Sequence, residues 1–232
     1  MKRQYSKQSG FTLVEIAIVL VIIGLLLGGV LKGQEMITSS KGKAVNNEKS
    51  GIQAAFTSYF DRYKALPGDD ATAAARFTAG QCGGVACLNG NGNGTLNAAP
   101  AAVGNSAWNA FPVAALAGTL ENQFAWQHLR ASGFLKEGEA SQFSNPRHAS
   151  GGRIGVQNVQ QYAGHSAAGT AQVFAVFEAV PTNVAQAMDS SVDDGFNNLG
   201  SWRAVANTAV NATPGTPYVT ATASVNPSAP LF

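Results

Sequence analysis

The stretch FTLVEIAIVLVIIGLLLGGVL, from Phe11 to Leu31, constrains this chain more than any other part: its 21 residues hold a single charge, at Glu15. As a helix rising 1.5 Å per residue it reaches roughly 31 Å, the thickness of a bilayer's hydrocarbon core. Lys2, Arg3 and Lys7 precede it with no acid among them, and Lys32 follows it. The positive-inside rule keeps the short N-terminus in the cytoplasm and sends residues 33 onward across the membrane. A conventional secretory signal has a shorter apolar core and an A-x-A cleavage site. Here LKGQEMITSSK follows with no A-x-A pattern, although the Gly28, Gly29 and Gly33 cluster leaves conventional cleavage open as an alternative.

Composition narrows the rest. Apolar residues are 45% and charged residues 12% of 232, too little charge for a disordered polyelectrolyte or a heavily basic nucleic-acid binder. Three of the 15 basic side chains lie before residue 11, which leaves 12 against 13 acidic ones and a nearly neutral body. Nucleic acid is therefore not expected as a main partner.

A lone carboxylate in a spanning helix costs on the order of 2 to 3 kcal/mol on insertion scales, so Glu15 either finds a partner or sits at the hydrated interface. No basic residue lies within the segment to serve it. The surrounding sequence, SGFTLVEIAIVLVIIG at residues 9–24, resembles the class III signal peptides of type IV pilins and type II secretion pseudopilins. The likeness covers about 25 residues directly and, through the helix that follows, extends to about residue 66. It implies cutting by a prepilin peptidase between Gly10 and Phe11, N-methylation of Phe11, and retention of Glu15 as the fifth residue of the mature chain. It further implies an inner-membrane assembly platform and a filament of this subunit or related pilins. In such a filament the new amine of one subunit meets the Glu15 carboxylate of its neighbour, so each buried charge gains its partner on assembly. Gly24 and Gly28, and again Gly29 and Gly33, have the small-xxx-small spacing that lets helices approach closely. Glycine also weakens a helix outside lipid, which makes residues 24–33 a place for local melting in a filament, unless these glycines are merely tolerated.

Four parts follow in order: a leader, 1–10; a transmembrane segment, 11–31; an amphipathic continuation of the helix, 32–66; and a globular domain, 67–232. Val45, Ile52, Phe56, Tyr59 and Tyr63 form one apolar stripe, opposite Lys41, Lys43, Asn47, Glu48, Lys49, Asp61 and Arg62. YFDRYKALPGDD at 59–70 reads as a helix stop at Pro67; it resembles the exit from the pilin helix, and no chemistry is assigned to it. The expected fold is α+β and pilin-like, a long N-terminal helix packed on a domain with a small antiparallel sheet.

Within that domain, Cys82 and Cys87 are the only cysteines. On a segment delivered outside the membrane they suggest a small disulfide loop, since a structural metal site would need two further ligands nearby. The Asn-Gly run at 89–94 reads as a mobile turn-rich loop. Leu116, Leu120, Phe124 and Leu129 predict a second helix within 116–136, ended by Gly133. Its AWQHLRASG string also resembles a segment of some pilin-like proteins, and its lone His128 reads as packed or solvated. Strands are predicted at about 153–162 and 171–179, the latter closed by Pro181, then a short helix, an acidic turn and a strand. Tyr218–Thr222 suggests an edge strand, before a tail with little structure.

The acidic turn is the one candidate ligand site. Asp189, Asp193, Asp194 and Asn197 gather hard oxygen donors of the kind calcium takes, and the D-x-x-x-D-D-G pattern resembles a pseudopilin calcium loop. The EF-hand match fails at Asp194 and Gly200, and hydrated turn carboxylates or a helix cap explain the same residues. No other cofactor is expected. GxSxG, HExxH, GxGxxG and the phosphate-binding GxxxxGK loop are all absent, and His128, His148 and His165 lie in no signature. A structural filament subunit of a pilus or secretion pseudopilus is therefore the leading function, and an enzyme is not. The alternative is a membrane-anchored periplasmic binding module or enzyme that uses this leader without forming a filament. Glu15 disfavours the tip pseudopilin, which in that family often lacks the acid.

Overall fold

No proline interrupts residues 13–63, and a single helix, α1 (Leu13–Tyr63), runs through them in the structure, a computed structural model that describes residues 10–96, 120–136, 143–158, 173–192, 202–205 and 223–227. Its 51 residues extend about 77 Å. It stops three residues short of the expected end at 66. Lys64 takes up a left-handed conformation (φ 54°) and its N–H bonds back to the Phe60 carbonyl at 2.7 Å. Pro67 then holds Leu66 away from helical angles. The predicted stripe is the face that packs: Val45, Ile52, Phe56 and Tyr59 are buried, and Tyr63 lies partly buried beside them.

A four-residue turn of helix, α2 (Ala73–Arg76), leads into the cysteine loop, and α3 (Glu121–Ala131) follows further along the chain. The second helix is thus present but shorter than predicted, with Leu120 as its cap residue; residues 116–119 lie outside the described residues. Gly133 (φ 79°) ends its exit turn, where Phe134 and Leu135 both donate to the Leu129 carbonyl. α3 meets α1 through rings: Trp126 stands edge-on to Phe56 at 6.4 Å, and His128 stacks on Tyr59 at 6.0 Å.

The sheet holds β1 (Ile154–Asn158), β2 (Val173–Val180), β3 (Trp202–Val205) and β4 (Ala223–Pro227), in the spatial order β1-β2-β4-β3 and antiparallel throughout. The two predicted strands are β1 and β2, the latter followed by Pro181 as expected. Among the described residues the strand that comes latest in the chain, β4, lies inside the sheet, between β2 and β3. Tyr218–Thr222 and the final residues lie outside the described residues. Between Phe177 and Val180 the β2–β4 ladder shifts register, and Ala179 there has φ 55°, the mark of a bulge.

Between β2 and β3 the chain forms α4 (Thr182–Val192), which crosses α1 closely. A Cβ added to Gly42 would lie 3.3 Å from that of Met188, so glycine is what lets the two helices approach. Trp202 joins this region to the sheet, 5.5 Å from the Phe177 ring and with the Lys49 ammonium 5.3 Å from its own ring centre. The architecture is α+β: a long helix whose second half, with α3, α4 and the sheet, encloses one core.

Candidate functional site

The first turn of α1 sets the geometry of the N-terminal segment. Thr12 is extended (ψ 147°) and its hydroxyl accepts from the Glu15 N–H at 3.3 Å, a side-chain cap for one of the unpaired N–H groups of the helix start. The signal was present in the sequence: T-L-V-E has the S/T-x-x-E spacing of a capping box. Gly10 and Phe11 therefore precede the helix, with Phe11 exposed, and Glu15 lies in its first turn, where the helix dipole favours a negative charge.

From Leu13 to Leu31 the helix touches nothing else among the described residues. Its most apolar 18-residue window has a mean hydropathy of 2.8 and no buried residue. Leu13, Leu20, Leu25 and Leu31 are all exposed by more than 60%. So large a continuous apolar surface requires a cover, either lipid or other helices. Gly24, Gly28, Gly29 and Gly33 lie on this free segment, and a Cβ added at any of them meets nothing within 4 Å. The helix stays continuous across residues 24–33 in the single chain.

The head domain carries a second arrangement that the sequence concealed. Asp69 is buried, and its carboxylate accepts from three successive backbone N–H groups of the Asn-Gly run: Gly92 at 2.7 Å and Asn93 at 3.0 Å on Oδ1, and Gly94 at 2.7 Å on Oδ2. Gly90 donates to the Asp70 carbonyl, and a side chain at Gly90 would collide with the Asp69 backbone. The run expected to be a mobile loop is thus wrapped around the LPGDD turn. Gly68 (φ 97°) permits this approach, since a Cβ there would strike the Glu121 carbonyl.

α3 holds the same loop from the other side. Glu121 accepts from Asn91 N–H at 2.8 Å, and Gln127 accepts from Leu88 N–H at 3.0 Å while donating to the Ala86 carbonyl. His128 Nδ1 accepts from Gly68 N–H at 2.9 Å, so Nε2 carries the proton and donates to the Leu88 carbonyl at 2.7 Å. Burial holds His128 below the usual imidazole range, despite the carbonyl bond and the charge of Asp70. Asp70 takes the Tyr59 hydroxyl at 2.9 Å and both donors of Thr72, with the Arg76 guanidinium 3.4 Å away. Burial opposes its ionisation, but these bonds and that charge outweigh it and leave the carboxyl below its usual value. The lone histidine is therefore a packed strut, and the helix stop is a polar hub.

Cys82 and Cys87 form a disulfide with Cα atoms 5.5 Å apart, both side chains buried in the core. Of the candidate calcium residues, Asp189 is corrected: it lies within α4, fully buried, and not in an open turn. Asp193, Asp194 and Asn197 lie outside the described residues, as does His165. No group of three His, Cys, Asp or Glu that could hold a metal occurs among the described residues. His148 is a second buried imidazole, its Nε2 donating to the Glu178 carbonyl at 2.7 Å and its Nδ1 accepting from Ser150 N–H.

Residues 5–31 match the family model of the prokaryotic N-terminal methylation motif, the prepilin-type leader of type IV pilins and pseudopilins. No curated protein and no solved structure matches the chain. The class is thus that of proteins carrying a prepilin-type leader on a long apolar helix that fits membrane anchoring.

Proposed function

We propose that this chain is a structural subunit of a type IV pilus-like or type II secretion pseudopilus filament. A prepilin peptidase cuts it after Gly10, and Phe11 is then N-methylated. The mature chain waits in the inner membrane on α1, with its head on the outer side, until an assembly platform draws it into a filament of like or related subunits. The observation that carries this reading is the wholly uncovered apolar half of α1 with Glu15 alone in its first turn. Lipid covers that surface before assembly, and neighbouring helices cover it afterwards. The leader places a cleavable bond just outside the capped helix, so cutting frees an amine four residues ahead of the carboxylate. Glu15 stands exposed on the first turn of the single helix, and the amine of an adjacent, axially displaced subunit neutralises it. Removing one member of such a buried pair strands the other, at a cost of roughly 3 to 5 kcal/mol.

Mass spectrometry of the protein purified from its own cells tests the reading. The expected chain begins at Phe11 with one added methyl group. A chain that keeps residues 1–10, or that begins beyond Leu31, overturns it. A calcium ion held by Asp193, Asp194 and Asn197 after α4 would add to the head; added Ca²⁺ would then raise its melting temperature, as binding linkage requires.

A further inference from the structure

Three Asn-Gly pairs stand in a row, Asn89-Gly90, Asn91-Gly92 and Asn93-Gly94, on a loop exposed to water. Asparagine before glycine is chemically labile, because the glycine has no side chain to block attack of its backbone nitrogen on the asparagine amide. The reaction needs two things at once. The Gly N–H must lose its proton to solvent hydroxide and become a nucleophile, and the Asn side-chain carbonyl must accept developing negative charge.

At Asn93 the second requirement is already met. Its Oδ1 accepts from Thr95 N–H at 2.8 Å and from the Thr95 hydroxyl at 2.7 Å, two donors placed as in an oxyanion hole. The first requirement is blocked. Gly94 N–H donates to Asp69 Oδ2 at 2.7 Å, and a carboxylate at that distance both binds the proton's nitrogen in place and opposes the appearance of an amide anion. At Asn91 one donor, Asn93 N–H at 2.9 Å, meets Oδ1, and the Gly92 nitrogen is tied twice, to Asp69 Oδ1 and to the Asp69 carbonyl. Asn89 differs. Its Oδ1 accepts from Ala74 N–H, and Gly90 N–H goes to the Asp70 main-chain carbonyl, so the Asp69 side chain plays no part.

From this geometry we infer that Asn93, and after it Asn91, are latent self-modification sites whose deamidation is restrained by the Asp69 carboxylate. The step balances without any oxidant or cofactor. The Gly94 nitrogen bonds to Asn93 Cγ, the Cγ–Nδ2 bond breaks, and ammonia leaves with protons supplied by water. Water then opens the five-membered imide at either carbonyl, leaving aspartate or isoaspartate. Either product adds a negative charge close to Asp69 and Asp70. Isoaspartate also lengthens the main chain by one methylene, which shifts the row of N–H groups off the carboxylate, so modification at Asn93 releases Asn91.

The test uses the full chain in detergent, incubated at mildly alkaline pH, with peptide mass spectrometry following aspartate and isoaspartate at positions 89, 91 and 93. Wild type is expected to modify all three slowly. Asp69→Asn removes the charge but keeps the shape, and is expected to speed Asn93 on the order of tenfold, Asn91 less, and Asn89 not at all. Adding Thr95→Val to that variant removes the hydroxyl donor at Asn93 Oδ1 and is expected to slow Asn93 again without changing Asn91. Equal acceleration at all three positions in Asp69→Asn would mean that the loop had only come loose, and would overturn the inference. So would modification of wild-type Asn93 at the rate of the urea-unfolded chain, or no acceleration in the variant.

Discussion

The first half of α1 and the whole of α3 invert the usual distribution of side chains. Between Leu13 and Leu31 apolar residues face outward with nothing against them, whereas every residue of α3 is buried, Glu121, Asn122, Gln123, Gln127, His128 and Arg130 included. Both departures follow from what lies opposite each surface. The α1 segment is built for an apolar surround that a single chain does not supply. α3 is built to satisfy main-chain groups of Gly68, Ala86, Leu88 and Asn91, which pack against it and would otherwise be unpaired on that side. Arg130 shows what that burial does to a charge, since loss of water pushes its guanidinium down to about 10.

Substitutions on the two sides of this comparison should separate cleanly. The largest effect is expected from Glu15→Ala, which should reduce the sheared filament fraction severely while leaving membrane insertion and the melting temperature of the head unchanged. A head that melts earlier would show that the apolar half of α1 is part of the core after all. Trp126→Ala should do the reverse, lowering head stability by roughly 3 to 5 kcal/mol in denaturant unfolding. Gln127→Leu keeps the bulk of the side chain but strands Leu88 N–H and the Ala86 carbonyl, and should cost about 1 to 3 kcal/mol. An unchanged unfolding midpoint for that variant would break the claim that α3 is polar for the loop's sake.

Acid should weaken the same region in two stages. His128, stacked on Tyr59 near Asp70 and Arg76, and His148, beside Glu178 and Phe177, are both held by burial below the usual imidazole value of 6.5. The unfolded chain takes up those protons near that pH and the folded one does not. Stability is therefore full above about pH 6.5 and falls as pH drops toward the folded values. Asp70 adds a later loss, because its carboxyl lies below its usual 3.8 and its contribution disappears as pH falls through the folded value. Melting temperatures across pH 3 to 8 would reveal both stages, and His128→Gln should flatten the first. The smallest effect is expected from Arg153→Ala, which removes a bidentate, partly exposed pair with Glu178 at 2.6 and 2.9 Å and should cost about 1 kcal/mol.

Much of the layout could be read in advance because it rests on local or periodic signals. The stripe from Val45 to Tyr59, the exit near Pro67, the end of the second helix at Gly133 and the strand before Pro181 all follow from side-chain period or backbone restriction. Thr12 as the cap of Glu15 could have been read too, from the T-L-V-E spacing. The Asp69 cage could not. Its donors lie 23 to 25 residues away and are main-chain groups, which have no signature in a sequence. His128 meets Gly68 across 60 residues for the same reason, and neither side of that bond is unusual by itself.

The apolar run and its single acid belong to the one-dimensional chain, because hydrophobic length and charge are properties of consecutive residues and survive in any fold. Which polar residues enter the core was decided only in three dimensions. A glutamine, a histidine and an aspartate are buried here because folding brings them against unpaired peptide groups, and that proximity exists only once α1, the LPGDD turn and α3 have come together.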